Sequence, residues 1–515
     1  MKLSTISIQD LPFFSKLVKD YLSEIEKTQR LYSFSPSIDG LMKALNSKEK
    51  NYTKRSLLHT ILEHNYAGIE NLSDREYKNL ALLKGNGFAV TTAHQPNLFL
   101  GPLYTLTKAV SIISLAENMN RAIGENKIVP IFVIGSEDHD KEELLHTYLH
   151  GKKYEWPTEQ KGSIGTMKID ATFIRLLNEW VDAFGNMPYA SELKNLYLSS
   201  YVLNNTIAES YATVLRKLLG SYGLIVLDLH IKEVKESMIP VFEKELRDNF
   251  VLDTLKPHLD FLRQNYSVQA EPREVNLFEY NDGERKKIDK VDEELINRLR
   301  ENPERFSPNV ILRPLMQQTV LPSIANIGGG AEVNYWLQLK PIFEAVGVDF
   351  PAIVLRDIFS QLDSKSWEKW NSTGLNEFDF FMQMEELKKK IVLKDSSLEE
   401  DFLNVENDLS LKFSSLESLL VSIDKSLQGS YESELVKLKK SLEMLYGKAI
   451  KAEKRKQEET MTAIEKIKSK VFEDNYLTER KENFSAYYLK YGSAWIEAMI
   501  AHSAPLNAEW KVGIL

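Results

Sequence analysis

Two short polar clusters carry the side chains best suited to chemistry. The first is Thr91-Thr92-Ala93-His94-Gln95-Pro96-Asn97, which leads through Leu98-Phe99-Leu100 into Gly101-Pro102-Leu103-Tyr104. The second packs three carboxylates and an imidazole into Glu137-Asp138-His139-Asp140. A loop entering a helix start points backbone N–H groups outward and attracts anions, so His94, Gln95 and Asn97 would face a small anionic or nucleotide ligand. Gly101 lets the backbone approach that ligand, and Pro102 is tolerated in a first helical turn. The competing reading is that Pro96 and Gly101 only shape a tight loop and His94 bonds a backbone carbonyl. In the second cluster, crowded carboxylates raise one another's pKa and favour a protonated histidine, which suits a general acid/base pair or a cation site. Against this, Asp and Glu at a helix start are ordinary caps worth about 0.3–1 kcal/mol each. Glu142 and His146 at i, i+4 would then be an exposed helix pair. No second histidine lies at ligand spacing from His139, so no metal site is predicted.

A third candidate is the glycine run Gly328-Gly329-Gly330 before Ala331-Glu332-Val333-Asn334-Tyr335-Trp336. Such a backbone can wrap a phosphate or carboxylate, although most triple-glycine turns only turn. Gly85 and Gly87 precede a strand instead of following it, the wrong context for a dinucleotide loop. Arg313 and Arg356 each close a short apolar run and are candidates for pairing substrate carboxylates in bidentate geometry. Structural ion pairs are their alternative.

These residues need a frame. Phe88–Thr92 and Val129–Ile134 read as buried strands, with 103–118 as the crossover helix between them. Further apolar runs at Leu224–Asp228, Val310–Leu312 and Ala352–Leu355 extend the strand–helix alternation of an α/β core. Residues 1–84 look mainly helical, from Leu17 to Ile25 and from Leu57 to Ile69, while 265–305 reads as a polar surface insertion. In open parallel sheets ligands bind outside the carboxyl ends of the strands, where both polar clusters fall. Residues 385–474 differ: Phe402, Val405, Leu409, Phe413, Leu416, Leu420, Ile423 and Leu427 are spaced by three and four. The pattern resumes after Gln428-Gly429-Ser430 and runs on to Ile467. This predicts an antiparallel coiled-coil hairpin broken at the Gly-Ser step, with arms about 45–60 Å long. The expected division is a core at 1–375, the hairpin at 376–474 and a segment at 475–515 that returns to the core.

Composition narrows the function. At 515 residues with 43% apolar side chains, the chain is a folded protein of two or three domains. A net charge of −9 argues against nonspecific nucleic-acid binding. The absence of cysteine excludes a thiolate nucleophile, a thiolate metal site and disulfides. No signal-peptide layout or membrane-length apolar run is present, so a cytoplasmic protein without a membrane partner is expected.

Taken in order, four motifs resemble the bacillithiol-biosynthesis cysteine-adding enzyme family, BshC. They are Thr92–Gln95 with Leu98–Thr105, Glu137–Asp140, Phe306-Ser307-Pro308-Asn309-Val310-Ile311-Leu312-Arg313-Pro314, and Gly328–Trp336. The resemblance implies a Rossmann-like core with inserted connecting segments, an α-helical antiparallel coiled-coil domain and a homodimer. It implies addition of L-cysteine to glucosaminyl-malate, an amide-forming ligase step that ends bacillithiol synthesis. The core is similar to class I nucleotidyl-transfer and tRNA-synthetase folds, which bind ATP beside a histidine-bearing loop after the first strand. ATP or ADP is therefore the expected cofactor. On this reading His94, Asp138, His139 and Asp140 are catalytic. Gln95, Asn97, Gly101, Tyr104, Glu137, Asn309, Arg313, Gly329, Gly330, Glu332, Tyr335, Trp336 and Arg356 bind substrate. The chain departs from the family where Ala93-His94-Gln95 replaces Gly-Gln-Gln or Gly-His-Gln, and where Gly329-Gly330-Ala331-Glu332 lacks a proline. Leu355-Arg356-Asp357-Ile358 stands in place of Pro-Arg-x-Ser, which leaves the role of Arg356 open. Two alternatives are a nucleotidyltransferase-like ligase acting on another small acid and a non-catalytic coiled-coil scaffold.

Overall fold

The computed structural model describes residues 1–281, 283–394 and 397–515. Two units separate: Thr5–Phe359 with Glu479–Lys511 and Met1, and Ser360–Thr478 with Lys2–Ser4 and Val512–Leu515.

The first unit is built on five parallel strands: β1 (Phe88–His94), β2 (Ile128–Ile134), β3 (Ile225–Asp228), β4 (Ser323–Gly328) and β5 (Ala352–Leu355). Their order across the sheet is β5-β4-β1-β2-β3, with every neighbouring pair parallel. The chain steps outward from β1 through β2 to β3, then returns to lay β4 on the other side of β1. That reversal creates a crevice at the carboxyl ends of β1 and β4, the usual ligand position in such sheets. Every residue of β1 and β2 is buried, as covered parallel strands require. Helix α1 (Tyr104–Ile123) joins them and is buried at every position from Thr105 to Ala116. A helix with no wet face over three turns is enclosed on all sides.

The expected strand pattern needs correction. Val310-Ile311-Leu312 is not a strand. The Asn309 side chain accepts the N–H groups of Ile311 (2.9 Å) and Leu312 (3.2 Å) and starts helix α2 (Leu312–Val320) instead. Pro314, which has no N–H, also suits an early helical position and not a central strand. The strand in this region is β4, disguised in sequence by buried Ser323 and Asn326. Thr91 Oγ1 lies 2.8 Å from Ser323 Oγ, and Gln317 Nε2 donates to Asn326 Oδ1 at 3.1 Å. The amino-terminal stretch holds a strand, Lys2–Ser7, before its helices. The expected surface insertion at 265–305 instead contributes Leu277–Asn281 and Glu284–Lys287 to a three-stranded antiparallel sheet with Phe306–Pro308.

The loop after β1 passes through three successive positive φ values: Phe99 (52°), Leu100 (66°) and Gly101 (56°). For Phe99 and Leu100 this costs about 1–3 kcal/mol each. It persists because Phe99 is wedged among Phe173, Trp180, Tyr197 and Tyr201, with ring centroids 4.9–5.6 Å away. Asn483 Nδ2 also donates to the carbonyls of Phe99 (3.0 Å) and Gly101 (2.9 Å).

In the second unit, α3 (Leu398–Ile423) and α4 (Gln428–Lys456) pair antiparallel. Phe402 meets Tyr446 (5.2 Å), Glu406 meets Lys439 (3.3 Å) and Phe413 meets Tyr431 (6.3 Å), so one index rises as the other falls. The break lies at Asp424–Leu427 and not at Gly429-Ser430, which are helical. Asp424 turns extended (φ −157°) and its carboxylate accepts the Ser426 N–H at 2.8 Å, whereas a helical glycine costs only about 1 kcal/mol. Gln457 interrupts the run before Glu458–Ser469. The arms, of 26 and 29 residues, are therefore about 39 and 44 Å long.

Asn483→Ala leaves the buried Gly101 carbonyl without a donor and the Phe99 carbonyl with the Tyr197 hydroxyl alone, at 3.2 Å, in a loop already under strain. Urea unfolding should show a loss of about 1–3 kcal/mol. A loss below about 0.5 kcal/mol would mean that the aromatic wedge alone holds the turn.

Candidate functional site

A cavity of about 700 Å³ opens at the carboxyl edge of the sheet, with both polar clusters in its wall. On the β1–β4 side, Lys108 of α1 is 2% exposed and reaches three acceptors. These are the Ala93 carbonyl at 2.9 Å, Glu332 Oε2 at 2.6 Å and His94 Nδ1 at 3.4 Å. Glu332 also takes the Gly329 N–H at 2.9 Å. With Thr92 Oγ1 on the Ile327 carbonyl (2.8 Å), these bonds stitch β1 to β4 at the reversal point. Burial, then the nearby cations Lys108, Arg356 and Arg313, hold the His94 imidazole well below its ordinary value, so it is neutral. Its Nε2 is buried and has no partner, and its ring edge meets Tyr104 at 5.1 Å. Burial also lowers the Lys108 ammonium, with Glu332 opposing.

The Arg356 fork is already paired: Nη2 and Nη1 donate to the two Glu479 oxygens at 2.6 and 3.0 Å. Among the described residues its Nε has no hydrogen-bond partner, and the Arg313 side chain donates only to the Tyr335 hydroxyl, at 3.3 Å. Arg273, Arg313 and Arg480 line the cavity and, among the described residues, sit in no ion pair.

On the β2–β3 side, Glu137 accepts both of its bonds from Lys235 Nζ, at 2.7 Å each, and lies 3.4 Å from His230 Nδ1. Burial alone would raise this carboxyl, but Lys235 and His230 outweigh it and hold it well below the usual carboxylate range. That reverses the expectation that crowding lifts it: the charges around Glu137 are mainly cationic. Crowding acts instead on Glu143, raised by burial and then by Asp138 and Asp140. Asp228, at the end of β3, accepts Ser136 Oγ at 2.6 Å and the His230 N–H at 2.9 Å. Burial raises its carboxyl despite those bonds.

His139 does not bond its neighbouring aspartates. Its Nδ1 lies 3.2 Å from Arg285 Nη1, and its ring meets Phe278. Arg285 is fixed by Ser307 Oγ (2.9 Å) and the Pro308 carbonyl (2.7 Å), and it lies over the Phe278 ring at 4.1 Å. Asp138 accepts Gln95 Nε2 at 3.2 Å and the Asp140 N–H at 3.1 Å. Asp140 caps the short helix Lys141–Leu144 through the Glu143 N–H. That helix ends before His146, so Glu142 and His146 are not a helical pair.

The cavity therefore gathers His94, Gln95, Tyr104, Glu137, Asp138, His139, Asp140, Asn309, Arg313, Gly329, Gly330, Glu332, Tyr335 and Arg356. Asn309 is at its wall, but its side chain is occupied by the α2 cap and by Asn276. Asn97, Gly101 and Trp336 are outside. A Cβ at Gly101 would stand 2.5 Å from the Asn97 Cβ, so this glycine serves the turn. Trp336 packs on Phe343 and Phe350. Sequence reasoning missed Lys108, Asp228, His230, Lys235, Arg285 and Arg480. Lys108 did leave a signal: a lone lysine in a helix without a polar face must be buried and paired.

Residues 1–357 match the description "Bacillithiol biosynthesis BshC, N-terminal Rossmann-like domain", and residues 360–515 match its C-terminal coiled-coil domain. A relative from Flavobacterium johnsoniae is 32% identical over 99% of both chains. One from Cytophaga hutchinsonii is 33% identical over 93% of this chain and 92% of its own. Both carry the name "Putative cysteine ligase BshC". The chain belongs to the BshC family. The Rossmann-like sheet and the helical coiled coil are the two domains that the family descriptions name.

Glu137→Gln would leave the Lys235 ammonium, whose side chain is fully buried, without its charge partner. Breaking a buried pair from one side costs about 3–5 kcal/mol. Because the folded carboxyl is depressed, its stabilisation is present above the unfolded value near 4.3 and fades as pH falls through the folded one. Urea unfolding should show the gap between wild type and Glu137→Gln at pH 7 and its narrowing below about pH 4. A gap that does not change with pH would contradict the assignment.

Proposed function

We propose that the protein is a cysteine ligase that joins the carboxyl of L-cysteine to the amine of glucosaminyl-malate, completing bacillithiol. The observation that carries this reading is the cavity at the β1–β4 reversal. There, among the described residues, an unpartnered imidazole nitrogen and guanidiniums in no ion pair line one cavity in a chain of this family. Arg313 is assigned to the malate carboxylates, because Arg356 is already satisfied by Glu479.

Amide formation needs an activated carboxyl, and ATP is the proposed activator. The residues present suit it: Arg480 would hold phosphate oxygens beside the Gly329-Gly330 backbone, and bound ATP would supply the leaving group. His94 would donate to the oxygen that gains negative charge as the amine attacks. The amine proton would pass to the His139, Asp138 and Asp140 cluster. Arginine only donates, so His139 Nδ1 accepts from Arg285 in the resting site. Arg285 would release it on turning to a substrate carboxylate, so the base would be unmasked when substrate is bound.

We place the enzyme in the cytoplasm as a homodimer acting on small molecules, without nucleic acid or membrane partners. Apolar side chains left exposed on the hairpin, Leu411, Ile423, Val436 and Met444, support self-association. The lack of cysteine suits an enzyme that handles free thiols. Among the described residues no helix is long and apolar enough to cross a membrane.

Incubation with cysteine, glucosaminyl-malate and ATP should yield the cysteinyl product by mass spectrometry. No product with or without nucleotide would favour a scaffold, and pyrophosphate release dependent on a different acid would favour another ligase. In this assay His139→Ala should lower turnover by about 10²–10⁴-fold, the range of general acid/base help. Full activity in that variant would remove His139 from the reaction. Arg313→Ala should raise KM for glucosaminyl-malate by about 10–100-fold with a smaller change in kcat, since a hydrogen bond to a charged group contributes about 1.5–3 kcal/mol. An unchanged KM would reassign the malate site.

A further inference from the structure

The acceptors around Lys108 decide which nitrogen of His94 carries the proton. An ammonium has three N–H donors. Lys108 has three acceptors within reach: the Ala93 carbonyl, Glu332 Oε2 and His94 Nδ1. The 2.6 Å contact with Glu332 keeps the amine charged, since a neutral amine would abandon a carboxylate already bound to the Gly329 N–H. A charged amine cannot accept a hydrogen bond, so Nδ1 must offer its lone pair and the ring proton must sit on Nε2. That nitrogen is buried in the cavity wall with no partner. The other charged or titratable groups that act on the ring are Arg313, Arg356 and Tyr104. The two guanidiniums repel a second ring proton.

We propose that Lys108 is a positioning residue that locks His94 as the neutral Nε2–H tautomer, so that the imidazole serves the reaction as a hydrogen-bond donor and not as a base. The lock spans the sheet reversal: Gly329 and Glu332, at and beyond the end of β4, fix Lys108 of α1, which fixes His94 at the end of β1. The donor role rests on the cavity being the ligase site. The tautomer does not.

The test uses ¹⁵N-histidine-labelled full-length protein, whose nine histidines are few enough to resolve, with His94→Gln to assign the signal. The His94 pair should show a pyridine-type Nδ1 and a pyrrole-type Nε2, unchanged between about pH 5 and 8, where ordinary histidines titrate. A protonated Nδ1, or titration in that window, would overturn the proposal. Lys108→Met removes the ammonium from the Ala93 carbonyl and the Glu332 carboxylate beside Nδ1, and Glu332 keeps the Gly329 N–H. The proton should then shift toward Nδ1, and the ring should begin to titrate inside the window. Lys108→Gln supplies an amide donor and should restore the original pattern. If Lys108→Met folds and its His94 signals stay in place, Lys108 is not the lock. If it does not fold, Lys108→Gln decides: a proton on Nδ1 there would overturn the lock. In the ligase assay His94→Ala should lose about 10²–10³-fold in kcat. His94→Gln, which keeps a donor but no base, should lose about tenfold or less. Equal losses in the two variants would overturn the donor role. If nothing turns over, the function reading fails, and the spectra still decide the tautomer.

Discussion

Cations buried at the carboxyl edge of the sheet have to be met by carboxylates, and such pairs tie its elements together. Lys108 is met by Glu332, Lys235 by Glu137 and Arg356 by Glu479. A buried charge without a partner costs several kcal/mol, so these pairs dictate which segments can lie beside which. The pair at Lys108 ties α1 to the turn after β4, and the one at Lys235 ties the end of β2 to the helix after β3. The third ties the end of β5 to the segment that re-enters the unit at Glu479. The edge of the sheet is therefore cross-linked by charge on three sides, and the cavity is the space left between the links.

That constraint also separates structural from available chemistry. A cation already neutralised at 2.6 or 2.7 Å cannot hold a substrate carboxylate without breaking its own pair. Arg313 has no such competition, since its one partner is a phenol hydroxyl. The same reasoning divides the acidic cluster. Glu137 is committed to Lys235, Asp140 to a helix cap and Asp138 to Gln95, which leaves the His139 ring as the member held by a cation instead of an anion.

Much of this frame was legible in the residues themselves. The βαβ unit around α1 was visible because fully buried parallel strands must be continuously apolar, and both polar clusters did prove to line one cavity. What stayed hidden has a common cause. β4 carries Ser323 and Asn326 inward, where a side-chain network satisfies them, so its apolar pattern is broken. Lys235 and Arg285 look like surface charges until a fold brings Glu137 and His139 to them from distant positions. The cap made by Asn309 is hidden too, because a capping asparagine and a ligand-binding asparagine are the same residue until the following N–H groups are located. The hairpin's repeat was plain, yet its turn was misplaced, since Asp424 as a cap outweighs a glycine that the helix can absorb.

The Arg356-Asp357 step shows how neighbouring charges of opposite sign can fix one segment. Arg356 pairs with Glu479, while Asp357 pairs with Lys511 and accepts from Ser111 and Ser503. Both partners of opposite charge come from the returning segment, one near its start and one at its end. The two residues after β5 thus bind both ends of Glu479–Lys511, and Asn483 within it supports the strained loop after β1. Through Arg480 the same segment adds a guanidinium to the cavity wall. A substrate carboxylate that displaced Glu479 from Arg356 would release one of those ends. Arg356 therefore holds the wall together, while Arg273, Arg313 and Arg480 are the cavity guanidiniums that, among the described residues, no carboxylate has claimed.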